Sequence, residues 1–198
     1  MKIFSCNINN IPDCDLYDWY NRMSIERKES VKKMLVPHKQ KLRIAADHIC
    51  REAISEFCRI SPDDITFSAN EHGKPYAVDL DVNFSISHSG DYVICAVSEK
   101  EIGADIEKIR EVKSDVSKRF ASESETEYIS SRKNGLFEIW TLKEAYFKCI
   151  GTGINKNIKN VSFDIKENDI LCSEEGYKFS FHNIADGYIC SVCEEVIK

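Results

Sequence analysis

Apolar and polar residues alternate with a period of two in "KIFSCNI", residues 2–8, which predicts an opening strand. A helical stretch follows from about Leu16 to Lys33, then a long amphipathic helix from about Lys39 to Cys58. Leu42, Ala45, Ala46, Ile49, Ala53, Ile54 and Phe57 form the apolar stripe of that helix. Short strands are expected at "ITFSA", "NFSISHS", "YVICAVS" and "IGADIE", separated by the turn signals "HGKP" and "HSGD". Helices over about Val112–Phe120, Glu123–Ser131 and Leu136–Ile150 then lead to strands at "VSFDIK", "YKFSFHN" and "YICSVCE".

The order of elements thus repeats, and one local echo accompanies it. "YVICAVSE" at residues 92–99 aligns without gaps with "GYICSVCE" at 187–194, about 95 residues further on. The pattern predicts an α+β protein of two similar halves, residues 1–100 and 101–198, facing each other across a cleft.

With 42% hydrophobic residues in 198, the chain can bury a core without staples. A formal charge of -6 argues against nucleic acid as the main partner, because phosphate backbones attract basic faces. Nine scattered cysteines with no signal peptide read as reduced thiols of a cytoplasmic protein, and no run approaches the length of a membrane span. The single C-x-x-C, Cys190 to Cys193, lies in a strand-like alternation and lacks a second ligand pair, so it reads as structural.

In "EIGADIEKIR", strand alternation sends Asp105 and Glu107 to one face, roughly 6–7 Å apart. Two such carboxylates repel unless a lysine, an arginine or a cation stands between them; the alternative is a solvated strand face. In "FEIWTLKEAYFKCIGTG", Glu144 and Lys148 share a helix face, with Lys143 about 100° around from Glu144. Elsewhere an E-x-x-x-K is an ordinary surface pair, but here apolar neighbours surround it. Asp105, Glu107 and Glu144 without a His or Cys pattern suit a hard cation, and Lys143 and Lys148 suit phosphate oxygens. Ser87 and His88 at a tight turn, and Gly73, Lys74 and Pro75 in a second loop, add donors and a close-approach backbone. Together these residues describe a site for a pyrophosphate-bearing substrate with Mg²⁺.

"HGKP", "FSISHSGDYVICAV", "IGADIEKIR", "KRFASESE" and "WTLKEAYFK", in this order, resemble the 4′-phosphopantetheinyl transferases of the surfactin-synthetase (Sfp) type. The resemblance implies that family's fold, with the halves related by a pseudo-twofold and the site between them. It implies transfer of phosphopantetheine from coenzyme A to a serine of an apo acyl or peptidyl carrier protein, releasing adenosine 3′,5′-bisphosphate. By resemblance, Asp105, Glu107 and Glu144 hold Mg²⁺, or Mn²⁺. Lys148 and Lys143 steady the pyrophosphate, Ser87 and His88 contact phosphate, and Gly73, Lys74 and Pro75 lie over the adenine.

Glu125 best matches the family's glutamate as general base, with Glu127 and Glu144 as alternatives. Arg43 is chosen for the 3′-phosphate over Arg27, Lys28 and Lys41. Both halves in one polypeptide imply a monomer. "RKNGLF" and "GTGINKNIKN" are the segments expected to meet the carrier protein. An Mg²⁺-dependent phosphodiesterase and a non-catalytic binding module are the competing readings.

Overall fold

The computed structural model describes residues 1–112, 116–154, 157–167 and 169–196. β1 (Lys2–Asn7) is followed by α1 (Asp13–Arg22), α2 (Ile25–Lys32) and α3 (Pro37–Cys58). The one helical stretch expected from Leu16 to Lys33 is therefore two helices. Met23 adopts an extended conformation, and the Ser24 hydroxyl accepts from the Arg27 amide to cap a new start. A short hairpin, β2 (Phe67–Ala69) and β3 (Pro75–Ala77), precedes β4 (Asn83–Ser89) and β5 (Tyr92–Ser98).

The second half begins with β6 (Ile102–Lys108), then α4 (Glu123–Ser131) and α5 (Gly135–Ile150). Of the helix expected over Val112–Phe120, a 3-10 turn at Val116–Arg119 is present, and residues 113–115 lie outside the described residues. A hairpin of β7 (Phe163–Lys166) and β8 (Asp169–Cys172) leads to β9 (Tyr177–His182) and β10 (Tyr188–Glu195).

The halves share one topology. The first sheet has the order β1-β5-β4 and the second β6-β10-β9, so each runs first strand, last strand, penultimate strand. α3 covers the outer face of the first sheet with Ala45, Ile49, Ala53 and Ile54 against Val93, Cys95 and Val97. α5 covers the second with Leu142, Ala145, Phe147 and Cys149, in a cluster that includes Phe179 and Cys193. The inner faces meet in a third core of Ile94, Ala96, Ile102, Ala104, Ile106, Cys190 and Val192.

Along one edge the halves are joined by serines. Ser85, Ser87 and Ser89, alternating on β4, bond respectively to the Ala104 amide, the Asp105 carboxylate and the Glu107 carboxylate of β6. By strand order the counterpart of β4 is β9 and that of β6 is β1. The contact therefore joins strands that hold different positions in the two halves.

Candidate active site

β6 has two unlike faces. Ile102, Ala104 and Ile106 enter the shared core, while Gly103, Asp105 and Glu107 turn toward α5 and the β4 edge. A Cβ on Gly103 would run into the carbonyl oxygen of Ala145 and the amide of Cys149. The bare glycine lets α5 lie against the strand at backbone distance, which brings Lys148, one residue before Cys149, over Asp105.

The Lys148 ammonium lies 2.6 Å from Asp105 Oδ1 and 3.0 Å from Ser87 Oγ, and Ser87 donates to the same Oδ1 at 2.6 Å. Asp105 is 4% exposed, and its second oxygen, Oδ2, is buried without a partner. Burial holds its carboxyl above the usual range, against the pull of Lys148 and Ser87. Glu144 is pushed up to about 7, first by burial and then by the Asp105 charge, with Lys148 pulling the other way. Glu107 accepts from Ser89 at 2.7 Å and from Arg110 at 3.1 Å. His88 is held below the ordinary imidazole range by burial of its ring and by the nearby charges of Lys148 and Arg43.

A cavity of about 260 Å³ brings Gly73, Lys74 and Pro75 onto the same wall system as Glu144 and Lys148. Glu107 also opens onto a larger, mostly apolar groove of about 660 Å³ rimmed by Arg110, Glu111, Arg119 and Lys159. The carboxylates thus border two hollows.

The chemistry of the donor set fits a hard cation. Asp105 has an unsatisfied buried oxygen, Glu144 feels the charges of Asp105 and Glu107, and Asp105 feels that of Glu107. As placed, Lys148 serves Asp105 as its counter-charge, and no three His, Cys, Asp or Glu groups among the described residues stand as a closed ligand set.

Two expected residues lie elsewhere. Lys143 and Glu125, both 0% exposed, pair at 2.9 Å inside the second half. Lys143 also donates to the carbonyls of Ile158 and Val161, and burial lowers its pKa against the pull of Glu125. Glu125 accepts from the Phe163 amide through Oε1 and from the Ser122 amide through Oε2, the latter completing a capping box on α4. Glu125 has both oxygens engaged and Lys143 is enclosed with it, so the pair stands apart from the Lys148–Asp105–Ser87 cluster. They brace the segment leading into β7. Glu127 is exposed on α4.

Among the basic candidates, Arg27 pairs with Asp47, Lys28 donates to the Asn21 carbonyl and Lys41 pairs with Asp13. Arg43 is the one whose charge reaches His88. Sequence reasoning missed Gly103, Ser89 and Arg110. The alternation of serines in "FSISHS" carried the signal for Ser89.

Residues 14–100 match the model of the 4′-phosphopantetheinyl transferase N-terminal domain, and residues 101–193 match that of the 4′-phosphopantetheinyl transferase superfamily. A Bacillus subtilis relative, 4′-phosphopantetheinyl transferase ffp, is 30% identical over 182 residues, covering 86% of this chain and 81% of that protein. The chain belongs to the 4′-phosphopantetheinyl transferases. Sfp of B. subtilis strain 168 is 29% identical over the same shares of the two chains. 4′-Phosphopantetheinyl transferase gsp of Aneurinibacillus migulanus is 32% identical over 154 residues, and this chain spans 65% of its length. Within this transferase family frame, the unpaired Asp105 oxygen and the two flanking hollows are the features to be explained by function.

Proposed function

We propose that this protein transfers 4′-phosphopantetheine from coenzyme A to a serine hydroxyl of an apo acyl or peptidyl carrier protein. The observation that carries the reading is the Lys148–Asp105–Ser87 constellation, set with Glu144 beside the His72–Pro75 loop. Family membership supports the reaction, and the two hollows support a donor on one side and an acceptor on the other.

In the reaction, the serine oxygen forms a bond to the pantetheine-side phosphorus of the pyrophosphate, and the bond from that phosphorus to the bridging oxygen breaks. Adenosine 3′,5′-bisphosphate leaves. Little covalent chemistry falls to the protein, so placement and charge neutralisation carry the rate. Lys148 stabilises charge gathering on the pyrophosphate, held in place by Asp105 and Ser87. His88 and Arg43 lie on the side where the nucleotide phosphates enter, and Gly73 and Pro75 supply a backbone that approaches the base closely. Glu144, facing the same cavity, is the carboxylate placed to take the serine proton.

Asp105, Glu107 and Glu144 would hold Mg²⁺, which when bound neutralises pyrophosphate charge. The groove beside Glu107 has an apolar floor and a rim where Arg110, Arg119 and Lys159 outnumber Glu107 and Glu111, which suits the amphipathic surface of a carrier protein. "RKNGLF" and the described part of "GTGINKNIKN" adjoin it through Phe137, Ile154, Ile158 and Lys159, and Asn155 and Lys156 lie outside the described residues. Residues 1–100 and 101–198 act together as one monomeric unit. All nine cysteines are free, which supports a reducing cytoplasm, and no described helix is long and apolar enough to cross a membrane.

Intact-protein mass spectrometry of an apo carrier protein, incubated with this protein, coenzyme A and Mg²⁺, tests the reading. A gain of one phosphopantetheine, abolished by EDTA, is expected. Release of adenosine bisphosphate with no gain on any of several carriers would replace the transferase by a hydrolase.

A further inference from the structure

α5 ends on Gly151, whose φ of +72° turns the chain away. The carbonyls of a helix's last turn have no partners within the helix and carry the negative end of its dipole. Here side chains from the other half of the molecule satisfy one of them and the carbonyl of the capping glycine just beyond. Lys74 Nζ donates to the Cys149 carbonyl at 2.8 Å, and Asn70 Nδ2 donates to the Gly151 carbonyl at 3.2 Å. The same ammonium lies 2.7 Å from Glu101, just before β6, and the Lys74 side chain is 18% exposed. One lysine thus ties the β2–β3 hairpin to the end of α5 and the start of β6.

The loop that carries Lys74 is itself braced. Asn70 Oδ1 accepts from the amides of His72 at 3.0 Å and Lys74 at 2.8 Å, so one side chain shapes the turn and fastens it to the helix. Lys148 lies one residue before the Cys149 carbonyl that Lys74 holds, and Glu144 one turn earlier. A second cavity of about 440 Å³ shares Lys74, Pro75, Phe84 and Gly151 with the 260 Å³ cavity of the active site. Lys74 and Gly151 thus line both cavities.

We propose that Lys74 and Asn70 are positioning residues, a clamp that locks the loop on the nucleotide side to the helix bearing Glu144 and Lys148. Lys74 acts on the rate through the placement of that helix, and does not bind a phosphate of the substrate. This goes beyond the transferase reading and rests on it for the kinetic test alone. Displacement of reacting groups by about 1 Å can cost on the order of a hundredfold in rate. A loosened clamp therefore lowers kcat more than it raises KM.

The test uses Lys74→Met, Lys74→Arg and Asn70→Asp in the full chain. Asn70→Asp keeps the oxygen that accepts from the turn and loses the donor to Gly151. With coenzyme A and with 3′-dephospho-coenzyme A, Lys74→Met and Asn70→Asp are expected to lower kcat by about tenfold or more, equally for both substrates. KM should change less than about threefold, and Lys74→Arg should recover most of the rate. A loss that falls on KM for coenzyme A and vanishes with the dephospho form would overturn the proposal in favour of direct phosphate binding.

Hydrogen exchange of the protein alone gives a readout that survives failure of the transferase reading. Lys74→Met should raise exchange in residues 70–77 and 145–151 together. Faster exchange in the hairpin with α5 unchanged would sink the clamp, whatever the enzyme's activity.

Discussion

Asp105 is nearly sealed from solvent, yet one of its oxygens has no partner. A buried carboxylate satisfied on one side only is costly to the fold, and such cost is retained where a function needs it. Asp105→Asn should therefore lower phosphopantetheine transfer by at least about a hundredfold. Its melting temperature should stay level or rise, because Lys148, 29% exposed, can turn to water. Retained transfer, measured by carrier mass gain, would remove Asp105 from the site.

Lys143 and Glu125 obey the opposite logic. Removing one partner of a fully buried pair strands the other charge, so Lys143→Met should cost about 3–5 kcal/mol in urea unfolding. Adding Glu125→Gln, which keeps the acceptor for the Phe163 amide, should restore much of it. If the single variant is as stable as the parent, the pair is not the brace described.

At the scale of elements, the site depends on how closely α5 approaches β6. Gly103→Ala forces its methyl into the Ala145 carbonyl and the Cys149 amide, backbone atoms that cannot step aside. Overpacking of this kind costs about 1–3 kcal/mol or more, and it should lower activity as Lys148 draws back from Asp105. A stability loss below about 0.5 kcal/mol would show that the helix has room to move.

The alternation of β6 was legible in the sequence, because its branched apolar residues all enter the shared core and its carboxylates face α5 and the β4 edge. The rotation of α5 was not. Ile139, Leu142, Ala145, Tyr146, Phe147 and Cys149 are all buried, so the helix is apolar around most of its circumference. Hydrophobic pattern therefore left undecided whether Lys143 or Lys148 faces the strand. β8 escaped notice because four residues of mixed polarity become a strand only when β7 lies beside them.

For the whole molecule, buried histidines and buried carboxylates pull acid stability in opposite directions. Burial holds His48, His88 and His182 below their ordinary pKa. Below about pH 6.5 the unfolded chain takes up protons that the folded chain refuses, so these groups cost stability as pH falls and contribute nothing above it. Glu144 opposes them, since its raised carboxyl is relieved by protonation as pH falls through about 7. The histidine share can be isolated with His182→Asn, which should lose less of its melting temperature than the parent between pH 7.5 and 5.5. Parallel curves would show that His182 titrates alike in both states.

The chain alone determined the two-part α+β plan, the inward strands and the motifs that mark the family, because periodicity and motif spacing are local properties. The tertiary structure decided which charged groups meet. Lys148 reaches Asp105 across 43 residues of sequence, Ser87 reaches Asp105 across 18, and Lys74 reaches the end of α5 across 75. Those meetings depend on a glycine that admits a helix, a serine edge that joins unlike strands, and a helix rotation set by packing on all sides. None of these is encoded in the spacing of any single motif.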